Sequence, residues 1–319
     1  MAILVYTENW DGEFKKLSFE LLSYASKLAE MIGDSVTALS IGQVSDTELS
    51  RLADYGANKI LKLESEGIEV LDNQLYTKVI AEAAAKEGAD IVILAHNNVG
   101  KAIAPRLAVR MKAGIGSGLS ALPTSMNPFT IGKKVFSGKA NSDVEIKSQA
   151  KVLTVAQNSF EVAENKVEAN IETFGPEASL SGSTSRKSIE KQTGKVILTD
   201  AEIVVSAGRG LKSPDNWGPV EELAELLGAA TACSRPVSDE GWRPHGEHTG
   251  QTGKIIAPNL YFAFGISGAI QHLAGVSSSK CIVAVNTDPD APIFEAADYG
   301  IIGDAQKVLP ELITAIKEA

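Results

Sequence analysis

Short apolar, β-branched runs alternate with stretches of helical spacing through the first half of the chain. Residues 3–6 (ILVY) read as a buried strand, residues 17–32 carry apolar positions at three- and four-residue intervals, and residues 35–40 return to the strand pattern. A helix is expected over 46–55, with Asp46 as its N-cap and Gly56 as its stop, followed by a strand over 57–63. Helical spacing resumes over 75–86 and ends at Gly88, the run 91–95 (IVILA) predicts a fully buried strand, and a helix over 100–112 follows. Parallel strands need long crossovers and bury both faces, so this rhythm predicts an α/β domain with helices on either side of a parallel sheet. Over 130–156 the pattern shortens to polar-apolar alternation with turn residues at Ser137-Gly138 and Asn141-Ser142, which predicts a few antiparallel strands closing the domain.

Residues 179–192 (SLSGSTSRKSIEKQ) are poor in apolar side chains and fit an exposed connection. Strand patterns then restart at 196–198, 203–206, 261–264 and 281–286, with a helix expected over 219–227. The expectation is therefore α/β with two doubly wound domains, 1–190 and 191–319, the second built on a parallel sheet. A length of 319 residues suits two cores, and 44% hydrophobic with 22% charged residues suits folded globular domains.

Charge and cysteine content narrow the chemistry. A formal net charge of −10 disfavours nonspecific binding to nucleic acid or anionic lipid, while a local arginine can still hold a phosphate. The two cysteines, Cys233 and Cys281, lie far apart in sequence, without a CxxC motif, so redox chemistry would have to come from a bound cofactor. The start MAILVYTENWDGEFKK lacks the basic end and long apolar run of a signal peptide, and no stretch approaches the roughly 18 apolar residues of a membrane helix. A cytoplasmic protein without membrane insertion is the expectation.

Four segments carry candidate chemistry. In IVVSAGRGLK (203–212) a strand empties into Gly208-Arg209-Gly210, where glycines would admit a ligand to the backbone and the guanidinium could fork onto a phosphate. It falls short of a dinucleotide fingerprint, because Ser213 stands where a third glycine would. In YFAFGISGAIQHLAG (261–275) a strand meets Gly265, Ser267 and Gly268 before a helix opens; free amides at that helix start suit an anion, and Gln271 and His272 lie one turn in. Residues 228–254 form a long irregular stretch whose Ser234-Arg235 and Gly250-Gln251-Thr252-Gly253 offer donors suited to the polar edge of a flavin. In 281–304 a strand ends at Asn286 and a second short run at Asp304, positions that could meet ribose or ribityl hydroxyls. Metal sites are not expected. His245 and His248 sit in a glycine- and proline-rich loop without helical spacing and read as surface residues, Asp288 and Asp290 read as a solvated turn, and His96 reads as structural.

The run LYFAFGISGAIQHLAGVSSSKCIVAVN (260–286), together with GRGLK (208–212), SRP (234–236), GQTGK (250–254) and DPDAPIFEAADYGI (288–301) in that order, resembles the α subunit of electron-transfer flavoproteins. The resemblance is specific in the C-terminal domain and general in the first, which it implies is nucleotide-hydrolase-like and contacts a β subunit. It implies one FAD per heterodimer, held mostly by this chain, passing electrons from dehydrogenases such as acyl-CoA dehydrogenases of fatty-acid β-oxidation to a quinone-linked oxidoreductase. It leaves open whether AMP or a second FAD occupies the β subunit. By residue, it implies that Arg209 and Ser234 contact the phosphates, Arg235 lies near the ring and favours its anionic reduced forms, and Thr252 bonds N5. Gln251 would lie on the ribityl side, and Thr249 and Gly250 beside it would also contact the cofactor. Ser267, Gly268, Ala269, Ile270, Gln271 and His272 would cradle the cofactor, and Asn286, Asp304 and Ala305 would meet the adenosine half.

Two departures stand beside the motifs: Thr249 where the family commonly has valine, and Ala305 where a larger residue is usual. On this reading the chain is an electron carrier rather than a substrate-converting enzyme. The alternatives are an NADH-oxidising, electron-bifurcating subunit and a non-redox nucleotide-binding regulatory protein.

Overall fold

The computed structural model describes residues 2–65, 68, 70–136, 140–177, 182, 184–188 and 196–318. Most of the connection expected over 179–192, and the turn residues Ser137 and Gly138, lie outside the described residues. The chain divides into two compact units, Met1–Val135 with Asn141–Ile189, and Phe136–Ala140 with Glu190–Ala319.

Among the described residues the first unit holds a seven-stranded parallel sheet. Its strands are β1 (Ala2–Thr7), β2 (Ser35–Ile41), β3 (Lys59–Leu63), β4 (Ile91–Ala95), β5 (Gly114–Leu119), β6 (Lys151–Val155) and β7 (Asn170–Thr173), in the order β7-β3-β2-β1-β4-β6-β5. Successive residues of a strand point to opposite faces. Ile3 and Val5 accordingly join the cluster containing Phe19, Leu22 and Leu28 of α1 (Lys16–Ile32). Leu4 and Tyr6 join the cluster of α2 (Asn73–Glu87) and α3 (Asn98–Met111), with Val79, Ile80, Ile103 and Leu107. Gly33 and Gly88 end α1 and α2 in the left-handed conformation.

Several local expectations change. The helix begun at Asp46 is capped by Ser45, whose hydroxyl accepts from the Glu48 amide at 3.2 Å, and beyond Ser50 it tightens into a 3₁₀ turn, Arg51–Asp54. Residues 130–156 do not all close the domain as antiparallel strands. Ser125–Met126 does pair antiparallel with Phe129–Val135, but β6 runs parallel between β4 and β5. Val152, Leu153 and Val155 are fully buried, so this strand needs cover on both faces. Asn141 and Ser142 lie within a strand, Ala140–Glu145, rather than in a turn. Residues 196–198 form no strand; Leu198 packs into the second unit's core, and the Asp200 amide turns back onto the Ile197 carbonyl.

The second unit contains, among the described residues, a five-stranded parallel sheet of β8 (Ile203–Ala207), β9 (Ala230–Cys233), β10 (Leu260–Phe264), β11 (Cys281–Asn286) and β12 (Tyr299–Ile302). The order is β9-β8-β10-β11-β12. Val205, Ala207, Phe262 and Phe264 pack with α4 (Gly218–Leu226) and α7 (Ala305–Glu318). On the other face Val204, Tyr261, Ala263 and Ala284 pack with Val276 of α6 (Ile270–Val276); the short α5 (Arg235–Asp239) follows β9. Strand order reverses between β8 and β10, which places a crevice outside their carboxyl ends, where open α/β sheets bind ligands.

Candidate functional site

The crevice is built on two glycine turns packed against each other. The Gly208 amide donates to the Phe264 carbonyl at 2.9 Å, and the Gly210 amide to the Gly265 carbonyl at 3.1 Å. A Cβ on Gly208 would lie 2.4 Å from the Gly265 oxygen, and one on Gly265, where φ is +60°, would lie 2.7 Å from Gly210 Cα. These glycines therefore admit one turn to the other, and Gly210 and Gly265 also line the cavity, where their spacing suggests a ligand meets the backbone. Arg209 is carried outward between them, its guanidinium 3.3 Å from the Glu240 carboxylate.

The loop between β9 and β10 supplies a second wall. The Thr249 amide donates to the Cys233 carbonyl at 3.0 Å, Lys254 to His248 at 2.8 Å, and Gln251 to Gln271 at 2.7 Å. The stretch 248–254 is thus strapped to β9 on one side and to α6 on the other. Gly250 sits at φ +146°, and a Cβ on Gly275 of α6 would fall 2.4 Å from Gly250 Cα, so loop and helix meet backbone to backbone. Arg243 holds the loop's far end. Its guanidinium donates twice to Glu247 (2.8 Å each) and once to Glu221 of α4 (2.7 Å), and it lies over the Trp217 ring.

The third wall is the turn from β10 into α6. The helix starts at Ile270 with Ala269 as a cap that offers no side-chain bond, so Ser267 precedes the helix without capping it. Its carbonyl instead accepts from the Ile293 amide at 3.0 Å. Tyr261, fully buried on β10, places its hydroxyl 2.8 Å from His272 Nε2. Burial, reinforced by the neighbouring His248, pushes the His272 imidazole down to about 4, so the ring is neutral near pH 7.

These walls enclose a cavity of about 460 Å³. Into it come Arg209 from the first turn, Ser234 and Arg235 from the start of α5, and Thr249, Gly250, Gln251 and Thr252 from the loop. Ser267, Ala269, Gln271 and His272 come from the third wall, and Asn286 from the end of β11. The Asn286 amide fixes that corner, donating to the Ile266 carbonyl at 2.9 Å while its oxygen accepts from Asp288.

Four assigned residues are placed elsewhere. Gly268 packs on Ile293, where a Cβ would lie 2.2 Å from its amide nitrogen, and Ile270 is exposed. Asp304 pairs with Lys212 at 2.9 Å and caps α7 through the Gln306 amide, and Ala305 is buried in the core beneath. His248 is the main addition. It reads in sequence as a surface loop residue, yet it is 3% exposed and lines the cavity, together with Pro236 and Ile266. His245 does lie exposed.

The donor set suits a nucleotide cofactor. Two guanidinium groups meet the needs of phosphates, the hydroxyls and amides of Ser234, Gln251, Thr252 and Gln271 suit a polar ring edge, and Pro236, Ile266 and Ala269 give apolar cover. Among the described residues, Nδ1 of His248 is buried without a hydrogen-bond partner, which leaves polar capacity in the wall for a ligand.

Comparison with known proteins matches this arrangement to a family. Residues 3–179 match the electron transfer flavoprotein domain, and residues 197–277 the electron transfer flavoprotein FAD-binding domain. Electron transfer flavoprotein subunit alpha of Syntrophomonas wolfei is 35% identical over 316 residues, covering 98% of each chain. The protein of that name in Bacillus subtilis is 34% identical, over 99% of this chain and 97% of its own. Protein FixB of Escherichia coli is 35% identical over 301 residues, covering 93% of this chain and 94% of its own. The chain belongs to the electron transfer flavoprotein α-subunit family, and its C-terminal half carries that family's FAD-binding domain.

Proposed function

We propose that this chain is the α half of a two-subunit electron carrier. With a β subunit it holds one FAD, most of it in the second unit, and passes electrons from dehydrogenases, such as acyl-CoA dehydrogenases, to a quinone-linked oxidoreductase. The observation that carries this reading is the cavity at the reversal of strand order, with Arg209 and Arg235 on its wall beside hydroxyl and amide donors. When bound, FAD supplies a ring that takes up and gives back electrons. Arg209 and Ser234 hold phosphate oxygens. Arg235 brings a positive charge to the ring's polar edge and favours added negative charge there. Thr252 donates its hydroxyl toward N5, Gln251 orients the ribityl chain, and His272, fixed by Tyr261, presents its neutral ring to the same edge. Asn286 falls to the adenosine half, and Asp304, beyond the cavity at the start of α7, is assigned to the same half through its carboxylate with Ala305 packed behind it.

The test is to co-produce the full chain with its β-type partner and record the visible spectrum and the extractable flavin. A yellow complex with about one FAD per heterodimer is expected on the pocket's size class. A colourless complex without extractable FAD overturns the reading, and bleaching by NADH alone moves it to an NADH-oxidising, bifurcating subunit. In the yellow complex Arg235→Ala lowers the flavin's reduction potential; an unchanged potential removes Arg235 from its assigned role.

A further inference from the structure

His248 occupies the cavity wall in an unusual state. Its ring lies between two glycines: a Cβ on Gly250 would come within 3.5 Å of Nε2, and one on Gly253 within 2.8 Å of Nδ1. The backbone holds it there, because the His248 carbonyl accepts from Lys254 and the next amide donates to Cys233. Glycine at 253 is what leaves room for an imidazole at this point; at 250 a Cβ would only touch the ring, and glycine is required there by φ +146° and the Gln271 carbonyl at 3.1 Å. Nδ1 is nonetheless buried without a hydrogen-bond partner, a state that is unfavourable in a protein interior.

The groups around the ring explain what it can do. Arg235 and Asp239 face it from α5, His245 from the preceding turn and His272 from α6, while β9 meets it through the Cys233 backbone. Asp239 opposes the positive neighbours, but its carboxylate is taken up by Arg235 at 3.2 Å. Burial first, then His245 and Arg235, hold the His248 imidazole below its ordinary value, so it is neutral near pH 7. The cavity thus places a neutral, incompletely bonded base next to a guanidinium, where added negative charge reverses the balance of charge around the ring.

We propose that His248 takes up a proton from solvent when negative charge enters this cavity, so that an anionic ligand and a proton bind together. The proposal rests on the reading of the cavity as a flavin nucleotide site. His248 binds the proton as imidazolium and returns it to solvent when the charge leaves. His272 is the weaker acceptor: its imidazole is already pushed down to about 4, and its Nε2 is engaged by Tyr261. The sign follows from linkage. Uptake strengthens anion binding as pH falls from the occupied-state value to the lower free-state value, by at most about tenfold per pH unit, and leaves affinity flat outside that window.

The experiment uses the full chain with its β-type partner, stripped of flavin and titrated with FAD between about pH 6 and pH 8, the range in which a shifted histidine titrates. His248→Gln, His248→Phe and His272→Gln are titrated in parallel, and nitrogen-15 histidine NMR follows each ring. Wild type is expected to bind FAD roughly three- to tenfold more tightly at the acid end. His248→Gln and His248→Phe lose most of that slope while still binding, and His272→Gln keeps it. The ring signal absent from the His248 variants rises in pKa when FAD is added. A flat wild-type profile, or a slope retained in both His248 variants, overturns the proposal and leaves the flavin site standing. If the folded variants lose FAD altogether, the wild-type NMR signal decides, and one that does not rise overturns the proposal. Failure of wild type to bind FAD at any pH overturns the flavin reading and this proposal with it.

Discussion

Both units are parallel α/β sheets whose strand order reverses beside the first strand of each, so both have a crevice at the carboxyl ends of their strands. They use its polar groups in opposite ways. In the first unit Asn97 donates to both oxygens of Glu8 at 3.0 and 3.1 Å, and its own oxygen caps α3 through the Gly100 amide at 2.9 Å. Asn9 donates to the Ile41 carbonyl, and His96 Nδ1 lies 2.8 Å from the Thr154 hydroxyl. In the second unit the backbone carries the closure, through two glycine turns and a strapped loop. The side chains Arg209, Arg235, His248, Gln251 and Thr252 are left facing a cavity. Topology locates a crevice in each unit; how the crevice's polar side chains are satisfied decides whether one is furnished for a ligand.

The sharpest way to break that contrast is to disturb the glycine contact. Gly265→Ala puts a Cβ against Gly210 backbone at a positive φ, where neither partner can yield. It is expected to cost on the order of 4 kcal/mol, lower Tm and abolish FAD retention. Gly118→Ala in the first unit, at φ +69°, meets the edge of the His96 ring at 3.2 Å, a side chain that can swing aside. A loss nearer 1–2 kcal/mol is expected, from backbone strain alone. Equal losses by thermal unfolding, or FAD retention in Gly265→Ala, would show that the turn contact does not build the cavity.

Most of the sheet framework is legible in the sequence because its strands are buried on both faces: ILVY, IVILA and YFAF are continuous apolar runs with few rivals. The position of β6 is not legible, since an apolar run reports burial and not which strands flank it. The glycines at 208 and 210 announce a close backbone approach without saying what approaches, and here it is Gly265. His248 was hidden for a related reason. Glycines and a proline around it look like solvent-exposed loop, and what buries it is a distant event, the packing of Gly275 on Gly250. The segment pattern before GQTG carries no local trace of that contact.

The loop that carries His248 depends on Arg243, which gives a second and somewhat smaller test. Arg243 and Glu247 are 13% and 12% exposed, so Arg243→Ala leaves the Glu247 carboxylate nearly buried and without its forked partner. A loss of roughly 3 kcal/mol is expected, with weaker FAD retention as the stretch 248–254 loosens. Replacing both residues together, Arg243→Met with Glu247→Leu, is expected to recover much of the stability. If the double variant also recovers FAD binding, packing rather than the ion pair sets the loop; if binding stays weak, the pair itself positions the wall.

The smallest expected effect separates the two crevices most cleanly. Arg209 and Arg235 rest on Glu240 and Asp239 at 3.3 and 3.2 Å, but all four side chains are between 43% and 62% exposed. Such pairs contribute little, so Asp239→Asn and Glu240→Gln should each change stability by less than about 0.5 kcal/mol. Each also removes a negative charge beside the cavity and frees a guanidinium, so FAD binding should tighten by roughly two- to fivefold at low ionic strength. That gain should fade toward 1 M salt, where the screening length is about 3 Å. Glu8→Gln in the first unit is the counterpart. It weakens the two bonds from Asn97 and should cost stability by about 1 kcal/mol, with FAD affinity unchanged. Weaker FAD binding in Asp239→Asn would mean that the carboxylate aims Arg235 at the ligand. The second crevice would then resemble the first, its side chains held by one another before any ligand arrives.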